Sequence, residues 1–119
     1  LRGVAVVRPS AVAAAMPRAG IVAHHGDPAV AEAALLAGRP QILLPMALEQ
    51  RVTARALAAL RVGIALTGEQ PAARLPETVH ALLTDQTWRD RALFWAKRLG
   101  EEARPDALGA IVSGCEALA

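Results

Sequence analysis

Three polar clusters interrupt an otherwise alanine-, valine- and leucine-rich chain: His24-His25-Gly26, then Glu32, then Glu49-Gln50. An imidazole can donate a hydrogen bond to a phosphate oxygen, and a glycine lets the backbone approach a bound group. A carboxylate one turn into a helix can accept from both hydroxyls of a ribose, and a Glu-Gln pair can bind the hydroxyls of a sugar. Each residue type also has a plain structural use. A histidine at a strand end is often only a hydrogen-bonder, Glu32 would favour a helix dipole, and Glu49 and Gln50 could open a solvated helix. No cluster has metal-ligand spacing, because adjacent His24 and His25 cannot both point inward without a turn.

The elements around these residues decide whether they can meet. Short β-branched runs alternate with longer helical patterns. "VAVV" (Val4 to Val7), "GIVAH" (Gly20 to His24), "QILLP" (Gln41 to Pro45) and "IAL" (Ile64 to Leu66) read as strands. A short helix around Ser10 to Met16, stopped with the help of Pro17, and helices over Pro28 to Gly38 and within Glu49 to Gly63 lie between them. Asp27 suits an N-cap, Pro28 a first helical position and Gly38 a C′ residue, while Gly63 is expected to end the third helix. Strand starts spaced about twenty residues apart have the rhythm of βα units, whose right-handed crossovers give a parallel sheet. After Gly68 the pattern is helical to the end of the chain. The expected fold is a single α/β domain over residues 1–119. It is a Rossmann-like parallel sheet of about four strands flanked by helices, with a helical C-terminal tail. In such a sheet ligands sit beyond the C-terminal strand ends, and all three clusters fall on that rim.

Composition narrows the function classes. With 54% hydrophobic and 20% charged residues the chain is not expected to be disordered. Thirteen basic and eleven acidic residues are interspersed with no basic block, so nucleic-acid binding is not expected. No apolar run reaches the roughly 18 to 20 residues of a membrane helix, and a cytoplasmic location is expected. Cys115 stands alone and excludes an internal disulfide. Trp88, Phe94 and Trp95 are the aromatic residues, with Trp88 and Trp95 on one helix face, and are read as packing. His80 reads as a surface residue, and Arg51, Arg55 and Arg61 as a solvated helix face.

Taken in order, "AHHGDPAVAEAALLAGRPQILLPMALEQRVTARALAALRVGIAL" resembles the donor-binding segment of inverting glycosyltransferases with the GT-B fold. Those include antibiotic and macrolide glycosyltransferases of bacterial secondary metabolism and the UDP-glucuronosyl and plant flavonoid enzymes. Their pattern of H-H-G-G-x-G-T, an acidic helix residue, A-G-x-P, four apolar residues, P, then D/E-Q and N-A, lies on His24 to Ala54 without a gap. The resemblance implies that His24 and Gly26 contact the diphosphate of a UDP- or dTDP-sugar. It implies further that Glu32 binds the ribose, and that Glu49 and Gln50 hold the transferred hexose. It implies no metal or other cofactor. It places the catalytic base and acceptor pocket in an N-terminal half, so the chain is expected to be a piece that does not turn over alone. Its partner would be that half or a second copy of itself.

The departures lie in the glycine-rich turn, where the chain reads Gly26, Asp27, Pro28, Ala29, Val30. Pro28 removes an amide that could face phosphate and Val30 removes a hydroxyl. Asp27, as an N-cap, would place a carboxylate where the diphosphate belongs. Thr53 replaces a frequent asparagine, and His25 is given no separate role. The expected function is donor nucleotide-sugar recognition. The alternative is a degenerate, non-catalytic module of the same fold used for assembly or dimerisation. A related sugar-nucleotide enzyme such as an epimerase fits the "AGRPQILLP…EQ" stretch less well.

Overall fold

The computed structural model describes Val6 and residues 11–102. The predicted strand Val4 to Val7, apart from Val6, lies outside the described residues, as do the tail after residue 102 and Cys115. Among the described residues the elements run α1 (Val12–Ala15), β1 (Val22–His24), α2 (Pro28–Leu36), β2 (Gln41–Leu43), α3 (Leu48–Ala59), β3 (Gly63–Ala65), α4 (Leu75–Thr84) and α5 (Gln86–Glu102). A 3-10 turn over Met16–Arg18 follows α1 and includes Pro17, so the α-helix stops just ahead of the proline.

The three described strands are parallel in the order β1-β2-β3, with Val22, Gln41 and Gly63 in register and His24 level with Leu43. Helices cover both faces, as parallel sheets require. Alternation along β2 sends Leu43 to one face, where it packs with Leu35, Leu57, Val62 and Leu99. Ile42 goes to the other face, with Leu66 and Leu82. Trp95 packs against the first cluster and Trp88 against the second. Each indole carries an arginine guanidinium over its ring, Arg91 at 4.7 Å from Trp88 and Arg98 at 6.0 Å from Trp95. The packing role expected of the tryptophans holds. Phe94 stays exposed, edge-on to Trp95 at 5.3 Å.

Two helices end in the same motif with different residues. After α2, Gly38 adopts φ +72°; its amide donates to Leu35 O and that of Arg39 to Ala34 O, a Schellman cap. After α3 the equivalent bonds run from Arg61 to Ala58 O and from Val62 to Leu57 O, with Arg61 at φ +59°. The expectation that Gly63 ends α3 is therefore corrected. The left-handed residue is Arg61, and Gly63 is the first residue of β3. Gly63 is small for a different reason: a Cβ there would stand 2.9 Å from Leu43 Cδ2 and 3.2 Å from Leu57 Cβ.

The two C′ residues should respond oppositely to exchange. Gly38→Ala forces a side chain into the left-handed region and against Leu93 Cδ2 at 2.8 Å, costing about 1–2 kcal/mol. Arg61→Gly relieves the same conformation and, after the added freedom of the unfolded chain, should gain about 0.5 kcal/mol. Urea unfolding midpoints of the two variants should move in opposite directions.

Candidate functional site

The rim beyond the C-terminal ends of β1 and β2 holds the predicted residues. The backbone ladder continues into it, with Leu44 N–H donating to His24 O at 2.9 Å. Because the sheet is parallel, the turn after β1 and the start of α3 emerge on the same edge. Gly26 joins them. It is buried at φ +116°, and a Cβ on it would lie 2.8 Å from the Gln50 carbonyl oxygen and 3.1 Å from Gln50 Cα. The turn and the first turn of α3 are thus in backbone contact, which sets His24 and Gly26 against the helix start that carries Glu49 and Gln50. Glu32, half-buried, sits at the fifth position of α2.

Asp27 is the N-cap of α2. Its Oδ1 accepts from Ala29 N–H at 2.8 Å, and Pro28 takes the first helical position. Of the four leading amides a helix leaves free, Pro28 has none and Ala29 is held by the cap. The N–H groups of Asp27 and Val30 remain without an intrachain acceptor among the described residues.

His24 is held at both ring nitrogens. Nδ1 accepts from Gly26 N–H at 3.1 Å, and Nε2 lies 2.7 Å from Gln41 Oε1. Gln41 is fully buried, and its amide donates to Ala31 O at 3.2 Å. The two ends of this series are a backbone N–H and a backbone carbonyl, whose roles are fixed, so every proton between them is assigned. Nδ1 must be bare, Nε2 must carry the proton, and the Gln41 oxygen must face the ring. Burial lowers the His24 pKa below its ordinary value. The Gln41 bond and the Asp27 carboxylate oppose that shift, and His25 adds to it. His25 has the other tautomer contact, Nδ1 donating to Leu44 O at 2.9 Å, which ties the turn after β1 to the end of β2.

Gln50 folds back over its own helix. Its Oε1 accepts from Met46 N–H at 2.8 Å and Ala47 N–H at 3.1 Å, capping α3 where Ala47 has no side-chain acceptor to offer. Both bonds use the oxygen, so the amide NH2 carries none among the described residues. Glu49 is exposed beside it. Thr53 is buried, with Oγ1 donating back to Glu49 O at 3.3 Å. Arg51, Arg55 and His80 are exposed as expected. Sequence reasoning missed Gln41. The available signal was a polar side chain opening an otherwise apolar strand. A cavity of about 130 Å³ lined by Gly20, Ile21, Pro40 and Arg89 opens at the opposite end of the sheet. It is well below the roughly 300 Å³ of a typical ligand pocket. Among the described residues no group of three or more His, Cys, Asp or Glu is placed to hold a metal ion, and no helix is long and apolar enough to cross a membrane.

A three-stranded parallel sheet covered on both faces by helices has the fold of a GT-B C-terminal domain. The chain belongs to the family described as "Erythromycin biosynthesis protein CIII-like, C-terminal domain", whose pattern matches residues 2–118. Its fold is similar to a solved structure described as "Crystal Structure Analysis of the Glycotransferase of kitacinnamycin", with a TM-score of 0.68 at 20% identity. That match covers 90% of this chain and 26% of the other, so the chain spans about a quarter of that protein's length. No curated protein matches the chain.

Proposed function

We propose that this domain recognises the donor of a glycosyl transfer, a nucleoside diphosphate hexose such as a UDP- or dTDP-sugar. The observation that carries this reading is the contact of Gly26 with the Gln50 backbone, which makes the turn after β1 and the start of α3 one continuous edge. The diphosphate would lie against His24 and Gly26 and take hydrogen bonds from the Asp27 and Val30 amides. Glu32 would accept from the ribose, and Glu49 with the Gln50 NH2 group would hold the sugar. For His24 to donate to phosphate, its Nε2–H must leave Gln41. The reading covers donor recognition; transfer to an acceptor, with a base supplied by an N-terminal half, belongs to a two-domain enzyme.

One observation favours a second reading, in which the domain serves assembly and binds no donor. The Asp27 carboxylate already occupies the α2 N-terminus. Titration of the chain with UDP, dTDP and GDP, followed by amide chemical shifts, separates the two. Saturable shifts at Gly26, around Glu32 and at Gln50 support donor recognition. Unchanged spectra up to millimolar nucleotide would rule it out and leave the assembly reading.

A further inference from the structure

A fully buried glutamine in the central strand of a small sheet requires an explanation, because burying an amide is costly unless it is hydrogen-bonded. Gln41 uses its oxygen on His24 Nε2–H and its NH2 on Ala31 O. It thereby joins three pieces of the rim: the end of β1, the first turns of α2 and, through His24 Nδ1, the Gly26 amide in the turn between them. We propose that Gln41 is the positioning residue of the diphosphate end of the rim, setting which His24 nitrogen carries the proton and so holding the turn at Gly26. This rests on the donor-recognition reading for its link to a ligand, but not for the positioning itself.

The chemistry is directional. With Gln41 Oε1 facing the ring, Nε2 is the protonated nitrogen and Nδ1 is free to accept from Gly26. In the opposite tautomer, Nδ1–H would confront Gly26 N–H, two donors with no acceptor between them, and the turn would have to move. A protonated ring has the same conflict, since both nitrogens then donate. The charged and titratable groups acting on His24 are Asp27 in the same turn and His25 beside it. Gln41 itself is neutral, so it directs the proton without adding charge. An apolar residue of similar size at position 41 would fill the space and leave the proton's place to the Gly26 amide alone.

Imidazole nitrogen NMR of the full chain tests this, together with Gln41→Met and Gln41→Glu. In the parent, His24 should be neutral with the proton on Nε2, and a spectrum with the proton on Nδ1 overturns the proposal with no variant needed. Gln41→Met should give mixed tautomers, and the Gly26 amide should exchange about tenfold faster, the loss of one net hydrogen bond. An unchanged tautomer and unchanged Gly26 protection would make Gln41 a space-filler. Gln41→Glu keeps the acceptor, so the Nε2–H form should be retained while the His24 pKa rises beside the new carboxylate. This variant carries the test if the methionine chain does not fold, and a His24 proton found on Nδ1 in it overturns the proposal. UDP titrations of the same proteins separate the two ideas. If the parent binds no UDP, donor recognition fails while the tautomer result still decides the role of Gln41. If the parent binds UDP and Gln41→Met binds it equally well despite a scrambled tautomer, the link from Gln41 to the ligand fails.

Discussion

Gly26→Ala is expected to lower the unfolding free energy by about 3 kcal/mol and to pull apart the two halves of the rim. Two independent costs act at this position. A φ of +116° lies where only glycine is comfortable, and holding alanine there costs about 1–3 kcal/mol. The added methyl would also meet the Gln50 carbonyl oxygen at 2.8 Å and Gln50 Cα at 3.1 Å. Those are backbone atoms of a helix start, which cannot rotate away as a side chain can, and overpacking of this kind adds about 1–3 kcal/mol. The strain relaxes by moving the turn off α3, so amide shifts should change at Gln50 as well as at His24 and His25. Gly20→Ala is the control, because nothing lies within 4 Å of the Cβ it would add and its φ is not positive. Urea unfolding of the two variants should differ by most of the predicted loss. Equal midpoints would mean that Gly26 is replaceable and that the rim is not held at this contact.

What could be read from the chain before its structure was local. Asp27 as N-cap, Pro28 at the first helical position and Gly38 at C′ each rest on chemistry within a few residues, and each is found in place. The parallel sense of the strands and the common edge of the clusters also follow from βα rhythm, because a parallel sheet leaves one C-terminal rim. The end of α3 was not legible in the same way. Glycine is the sterically favoured C′ residue, which points to Gly63, yet Arg61 takes the strained conformation and Gly63 yields space to Leu43 and Leu57. The internal bonding of the rim was hidden for another reason. His24 and Gln41 are 17 residues apart and meet only because β1 and β2 pair in a particular register, with His24 level with Leu43. By its type and position Gln50 reads as a sugar ligand. That its oxygen would turn back onto Met46 and Ala47 depends on Ala47 being unable to cap the helix, a consequence visible only once the helix start is known.

Removing the Asp27 charge is expected to raise affinity for a nucleoside diphosphate by at least about tenfold and by as much as about a thousandfold. The upper figure is the repulsion of like charges about 4 Å apart at an effective dielectric near 20, roughly 4 kcal/mol. Asp27 is exposed, so salt reduces it, and the gain should shrink as ionic strength rises. Two variants divide the effect into its parts. Asp27→Asn keeps an oxygen for the Ala29 amide and removes only the charge, with little change in helix stability. Asp27→Gly removes the charge and also frees the Ala29 N–H, at a cost of a few tenths of a kcal/mol to the helix. If the diphosphate sits at this helix start, calorimetric affinity for UDP should follow the order Asp27→Gly above Asp27→Asn above the parent. An increase for both variants of equal size would locate the effect in charge alone and leave the Ala29 amide facing elsewhere. No increase in either would separate the α2 N-terminus from nucleotide binding altogether. The self-capped turn, with His24 held by Gln41 and Gly26, would then be architecture that packs α2 against the sheet, and the retained rim would serve a protein partner.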